Sequence, residues 1–289
     1  MAIEYALPGR IALVTGAAQG IGWETARLLH ARGCSVALVD IDSEAAESAA
    51  AALGDRALAI AADVTDAEAM SAAVDEVVDR FGGLDVVVAN AGVAPPMRPM
   101  SVVDPEAFER TVEIDLLGVW RTVHPALPQV IERRGHVVVV ASVYAFVNGV
   151  MATPYAVAKA GVEQLGRALR AELSIHGASA GVAYFGFIDT QMVRDSFEDP
   201  VTRRLEDVFP PALLRRLPPA AAGAAIVEGI ERRAPRIVRP RWWRAWSALR
   251  GIVNPLLDAR FDRDERMREA VREGERLGRA ERTETTRSR

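Results

Sequence analysis

The feature that most constrains this chain is an alternation repeated over its first 185 residues, in which short β-branched runs give way to helical stretches. The runs are Ile11–Val14, Ser35–Val39, Ala57–Ala61, Leu84–Ala89, His136–Ala141 and Gly181–Phe185; between them the residue pattern predicts helices over about 20–32, 43–53, 66–80, 105–132 and 154–176. A strand with one wet face alternates apolar and polar residues, whereas Asp85-Val-Val-Val-Ala89 and Val137–Val140 do not, so both faces of these strands must be covered. Strand–helix alternation at this spacing predicts an α/β fold with a doubly wound parallel sheet. The long helix over 154–176 has end signals, with Thr153 as N-cap, Pro154 in the first turn and Gly177 just past the end.

Beyond Gly186 the pattern loosens. Residues 188–218 read as a mobile segment over a site, and a helix near 219–232 with a strand at 235–239 completes the sheet. We therefore expect a domain over residues 1–240 and an extension over 241–289 whose Arg/Glu-rich end, roughly 261–289, is frayed or disordered. No run approaches the roughly 20 apolar residues a membrane-spanning helix needs, and the first 30 residues lack a secretory pattern, so the expected location is the cytoplasm. The single cysteine, Cys34, cannot form an internal disulfide. His30, His124, His136 and His176 have no metal-ligand spacing, so no metal site is expected.

The turn after the first strand reads Thr15-Gly16-Ala17-Ala18-Gln19-Gly20-Ile21-Gly22 and runs straight into a helix. Glycines there allow a tight turn and close approach of a pyrophosphate, and the helix start offers free N–H groups and a positive dipole, so Gly16, Gln19, Gly20, Ile21 and Gly22 are candidate cofactor contacts of a Rossmann-like fold. Asp40 ends the next strand, where a carboxylate can bind both adenosine ribose hydroxyls and repel a 2′-phosphate. With no Arg or Lys in the loop or directly after Asp40, NAD is favoured over NADP.

Of 35 basic residues, 34 are Arg, and the one Lys is Lys159. An ammonium differs from a guanidinium in shape, hydration and ease of deprotonation, so a lone Lys marks a place where that chemistry is required. Tyr155 lies four residues earlier on the same helix face, and Ser142 follows the strand that ends at Ala141, the edge where parallel sheets place ligands.

Taken together, these motifs resemble the short-chain dehydrogenase/reductase family over about residues 8–240. The glycine loop is similar to the family's T-G-x-x-x-G-x-G, Asn90-Ala91-Gly92 to its N-A-G, and Asp63-Val64 to the acidic residue that family members place near the adenine. Ser142, Tyr155 and Lys159 match its catalytic set, while Gly186, Ile188 and Thr190 fall in the stretch that contacts the nicotinamide end. The resemblance implies an oxidoreductase that interconverts an alcohol and a ketone, with Tyr155 as the proton-transfer residue, Ser142 on the substrate oxygen and Lys159 lowering the phenol pKa and holding the nicotinamide ribose. It also implies a homodimer or homotetramer. Two departures stand out: Asp115 occupies the place of an Asn that helps hold a water beside the lysine, which implies a modified proton relay, and Phe185 stands where Pro is common.

Tyr144, Phe146, Val147, Val150 and Met151 near the site point to a bulky apolar small-molecule alcohol or ketone such as a steroid, terpenoid or lipid. An NAD(H)-sensing regulatory protein without turnover and an NADPH-dependent biosynthetic carbonyl reductase remain alternatives. No nucleic-acid partner is indicated.

Charge is unevenly distributed. Residues 1–200 carry 14 basic and 26 acidic groups, and residues 201–289 carry 21 and 13. From Arg232 to Leu257 there are seven Arg, three Trp and no acid. As a helix, Trp242, Ala245, Trp246, Leu249, Ile252 and Val253 share a face, with Asn254-Pro255 expected to break it. That face either packs on the enzyme's own subunit or, through residues 241–257, makes a peripheral contact with anionic lipid.

Overall fold

In the computed structural model, which describes residues 5–206, 208–209 and 213–288, seven strands form one parallel sheet. They are β1 (Ile11–Thr15), β2 (Ser35–Asp40), β3 (Ala57–Ala61), β4 (Val86–Ala89), β5 (His136–Ser142), β6 (Ser179–Phe185) and β7 (Arg236–Arg239), in the spatial order β3-β2-β1-β4-β5-β6-β7. The order reverses between β1 and β4, which opens a crevice at the carboxyl ends of these two strands. The register is continuous: Leu13 lies beside Ala37 on one side and Val87 on the other.

The apolar runs are buried on both faces, as their lack of alternation demands. Leu13, Val87, Val137 and Val182 join a core with α3 (Ala67–Phe81) and α7 (Thr153–Leu173), while Val14, Val36, Leu38 and Val138 pack on the other side with α1 (Gly20–Ala31) and α10 (Pro219–Glu231). Asp42 and Asp66 cap α2 (Ser43–Leu53) and α3 through their carboxylates, accepting from Ala45 N–H and from Glu68 and Ala69 N–H. Gly177 ends the stretch after α7 in the left-handed conformation, as expected.

Several expectations need correction. Thr153 is the first residue of α7, not its N-cap; Ala152 holds that position without a side-chain bond. The helix expected over 105–132 is four pieces: α4 (Pro105–Val112), a π-helical turn (Glu113–Leu117), α5 (Gly118–Val123) and α6 (Leu127–Glu132). The 188–218 segment carries α8 (Gln191–Glu198) and α9 (Pro200–Glu206), with Val201 and Leu205 buried, rather than a loose loop; Asp207, Pro210, Pro211 and Ala212 lie outside the described residues. Pro255 does not end α11 (Trp243–Phe261). It sits on the exposed side, where the carbonyl that loses its helical N–H partner faces water.

The stretch expected to fray is also ordered into a helix, α12 (Glu265–Ser288), with Arg289 outside the described residues. Met267 and Ala270 bury themselves against Met97, Met151, Val201 and Leu205. Close approach is possible because α12 is small where it meets the loop after β4: a Cβ on Gly274 would lie 2.7 Å from Pro99, and one on Gly278 2.7 Å from Val102. Arg98, nearly buried, ties the layers together by reaching Asp199 at 2.9 Å and Glu281 at 2.5 Å. Among the described residues no helix is long and apolar enough to cross a membrane.

Met267→Ala therefore tests the docking of α12. Truncating a buried Met costs about 2–5 kcal/mol and lowers the melting temperature by several degrees, whereas a frayed tail would leave the thermal transition unchanged.

Candidate active site

The crevice at the switch between β1 and β4 is a cleft of about 850 Å³. It is lined by every residue expected from the sequence at the nucleotide and catalytic ends except Gly22. Gly22 lies just behind the loop, where a Cβ would come within 2.0 Å of Gly16 O and 2.7 Å of Asn90 Nδ2. Its contribution is therefore the close packing of α1 under the loop. Gly16 and Gly20 adopt positive φ of 62° and 59°, which turn the chain from β1 into α1. No side chain caps α1 at Gln19, so the N–H groups of its first turn are available to an anion.

The other end of the loop is pinned from the strands. Thr15 Oγ1 accepts from the N–H groups of Asn90 and Ala91 at 3.0 and 3.2 Å, and Asn90 Nδ2 donates to Thr15 O and Gly16 O. Asp40 Oδ2 accepts from Ala18 N–H at 3.0 Å, which places its carboxylate against the loop. Asp63 accepts from Thr65 N–H at 2.8 Å. Asp40 and Asp63 line the cleft, and Arg110 and Lys159 are the cations among its described lining residues.

At the opposite end, β5 and α7 bring Ser142, Tyr155 and Lys159 together with Asp115 from the π-helical turn. A π turn inserts one extra residue into a helix and re-aims a side chain, here sending the Asp115 carboxylate inward. Asp115 Oδ2 lies 3.0 Å from Lys159 Nζ, and Oδ1 accepts from Val93 N–H at 2.7 Å. Lys159 also donates to Val140 O at 3.3 Å, and its ammonium lies 5.4 Å from the centre of the Tyr155 ring. Ser142 donates to Phe185 O and accepts from Tyr144 N–H, both at 3.3 Å, and Tyr144 packs edge-on against Tyr155 with ring centres 5.8 Å apart.

Burial dominates the electrostatics. It pushes the Asp115 carboxyl above its ordinary value, against the pull of Lys159 and of the Val93 N–H. Burial alone would lower Lys159, but the charges of Asp115 and Tyr155 outweigh it, and the ammonium is held above its ordinary value. The Tyr155 phenol is raised: burial is the largest cause, Lys159 opposes it, Asp115 adds to the rise, and the contact with Ser142 works against it. The acidifying effect of Lys159 is present, yet Asp115 offsets part of it. Tyr144, equally buried, is pushed up to about 12.

Sequence reasoning missed Val93, whose contribution is only a backbone N–H, and missed the second, apolar cavity of about 520 Å³ on the far side of Tyr144. Its walls include Val147, Phe187, Leu213, Trp243, Trp246 and Phe261. Of the residues expected to shape an apolar substrate site, Tyr144 and Val147 line it, whereas Phe146 and Met151 are buried in packing clusters.

Comparison with known proteins agrees with this arrangement. The family model described as short chain dehydrogenase matches residues 10–201. The chain is 40% identical over 188 residues to cis-4-hydroxycyclohexanecarboxylate dehydrogenase of Sinomonas cyclohexanicum, spanning 64% of this chain and 75% of that protein. It is 34% identical to (+)-borneol dehydrogenase 1 of Salvia officinalis, over 65% and 73% of the two chains. Among solved structures it is similar to the 3-ketoacyl-(acyl-carrier-protein) reductase of Brucella melitensis complexed with NADH, with a TM-score of 0.71, 27% identity, and 81% of this chain and 99% of that one covered. The chain belongs to the short chain dehydrogenase family, oxidoreductases that act on alcohols with a nicotinamide nucleotide.

Because Gly22 is the residue on which loop and helix close, Gly22→Ala is expected to weaken nicotinamide-nucleotide binding by about tenfold or more, equivalent to about 1.4 kcal/mol or more. Titration followed by nucleotide fluorescence measures this; unaltered affinity would contradict the packing described.

Proposed function

We propose that this protein is an NAD-dependent dehydrogenase of an apolar cyclic secondary alcohol, with Tyr155 as general base in oxidation and general acid in the reverse direction. The observation that carries the reading is the convergence of Ser142, Tyr155, Lys159 and Asp115 in one cleft that Asp40 also lines. The cradle fits a dinucleotide: the turn is backed by Gly22, the first turn of α1 is uncapped, and the acids Asp40 and Asp63 suit ribose and adenine and disfavour a 2′-phosphate. When bound there, NAD supplies the hydride acceptor. Gly16, Gln19, Gly20 and Ile21 would hold its phosphates, Asn90, Ala91 and Gly92 its central part, and Gly186, Ile188 and Thr190 its nicotinamide end.

The chain's own residues handle the proton. Ser142 Oγ, already placed beside the strand end by Phe185 O and Tyr144 N–H, orients the substrate hydroxyl. Tyr155 Oη takes the hydroxyl proton as its phenolate, which the Lys159 ammonium stabilises. Asp115 acts on Lys159, keeping it charged and fixed against Val140 O, and so serves as a positioning residue. The apolar cavity beyond Tyr144 supports a greasy substrate, and the names of two relatives, a hydroxycyclohexanecarboxylate dehydrogenase and a borneol dehydrogenase, support an alicyclic alcohol.

The test follows reduced-nucleotide formation with cyclohexanols and monoterpene alcohols, NAD and NADP in parallel. NAD is expected to win by about a hundredfold in kcat/KM, since facing a phosphate with a fixed carboxylate costs several kcal/mol. Tyr155→Phe should keep nucleotide binding and lose about 10²–10⁴-fold in turnover; a fully active variant would refute the assignment.

Asp115→Asn gives a separate pH signature. Oxidation rises as Tyr155 ionises, and the Asp115 charge opposes that ionisation by raising the phenol pKa. Neutralising it removes an upward push, so the rise of kcat with pH should move to lower pH. A shift to higher pH, or none, would mean that Asp115 carries no charge felt by the phenol.

A further inference from the structure

The helix α11 presents two apolar faces, and only one is covered. Its inner face, through Trp243, Trp246, Leu257 and Phe261, walls the cavity beyond Tyr144. On the outer face every exposed residue from Ala245 to Ala259 is apolar or glycine. Leu249, Ile252 and Leu256 are 53%, 66% and 69% exposed, among the most exposed large apolar side chains of the molecule. Fifteen residues of helix, 245–259, make this stripe about 22 Å long. A contiguous apolar stripe of this length is not what a monomer ordinarily leaves in water.

Charge says what covers it. Exposed arginines stand at both ends of the stripe, Arg241 and Arg244 before it and Arg260 and Arg263 after it. Among the described residues Arg241, Arg244 and Arg263 have no acidic partner, and Arg260 approaches Asp264 only at 3.8 Å. The acid of the stripe region, Asp258, is turned inward to Asn148 at 2.8 Å, and Arg250 is turned inward to Glu163 at 3.0 Å; the first exposed acid, Asp262, lies past the helix end. If a second copy covered the face by two-fold symmetry, either helix direction would set arginine ends against arginine ends, four arginines per copy with the exposed Asp262 as the carboxylate beside them.

We propose that α11 docks this protein on an anionic lipid bilayer. Leu249, Ile252 and Leu256 enter the acyl boundary, Trp242 sits at headgroup depth, and the four arginines meet lipid phosphates at either end. Docking does not depend on the reaction. Its consequence for substrate does rest on the dehydrogenase reading above: the same helix separates the bilayer from the apolar cavity, so a lipophilic alcohol dissolved in the membrane lies one helix from Tyr144 and Tyr155.

The full-length protein is floated with phosphatidylcholine vesicles containing one-third phosphatidylglycerol and with pure phosphatidylcholine vesicles. We expect flotation with the anionic vesicles, weakened by salt. Arg241→Gln with Arg244→Gln should reduce partitioning by about tenfold, since each arginine near an anionic surface contributes to binding. Ile252→Asp with Leu256→Asp should abolish it while leaving the melting temperature unchanged, because both side chains are exposed. Tyr155→Phe should float like the parent, which separates a failure of docking from a failure of the enzymatic reading. Absence of flotation, or equal flotation of the Asp variant, overturns the proposal. So does a wild type that fails to float and whose Asp variant passes from dimer to monomer in light scattering, the outcome that assigns the face to a second copy.

Discussion

A buried ammonium organises the catalytic end of this cleft. Lys159 is 3% exposed, and an unpaired cation at that depth would cost several kcal/mol. Its neutralisation draws in four separate parts of the chain: α7 contributes the lysine, the π turn contributes Asp115, the strand β5 contributes the Val140 carbonyl, and the loop after β4 fixes Asp115 through Val93 N–H. None of these parts can move without exposing or stranding a charge. The requirement also accounts for the sole lysine in a chain otherwise supplied with arginine, because a compact ammonium fits between a carboxylate and a carbonyl where a planar guanidinium would not.

Having a full carboxylate in that network changes its balance. A neutral amide would leave the lysine's charge wholly available to the neighbouring phenol. With Asp115, the pair is close to neutral when viewed from Tyr155, and burial prevails over what remains of the lysine's influence. Rigidity and charge therefore act in opposite directions here: the ion pair fixes the geometry well and weakens the field that the geometry was expected to deliver.

How much of this was legible in the sequence depended on whether the signal was local. The strands were marked by short, largely apolar runs, and those from Ser35 and from Ala57 reappear within a residue of their expected ends. The residues of the glycine loop, Asp40, Ser142, Tyr155 and Lys159 were visible because their spacing along strand–turn–helix units places them at one sheet edge. The π turn at Glu113–Leu117 was invisible, since one inserted residue barely disturbs a helical pattern. The docking of α12 was invisible for another reason: its composition is that of a solvated helix, and what holds it is a few small or apolar residues, Met267, Ala270, Gly274 and Gly278, facing partners far away in the chain.

The sequence reading of α11 found most of one face and misplaced the end of the helix. Helical periodicity locates a buried face by contrast with a polar one, and grouped Trp242 with Trp246 and Leu249 on that basis. The structure keeps most of that group together on the outer side, with Trp242, Ala245, Leu249 and Ile252 exposed and Trp246 and Val253 partly covered, while Trp243 outside the group is the buried one. Apolar residues occupy both the cavity side and the outer side of this helix, while Ser247, Arg250, Asn254 and Asp258 bond to the rest of the subunit, so periodicity has little contrast to work with, and each apolar side belongs in an apolar environment. The protein itself supplies that environment on one side only. Its outward arginines are confined to the ends, with Arg250 in the middle turned to Glu163, so they would not obstruct contact along the length. Such an arrangement preserves the outer stripe as a continuous surface, which packing within the subunit alone gives no reason to do.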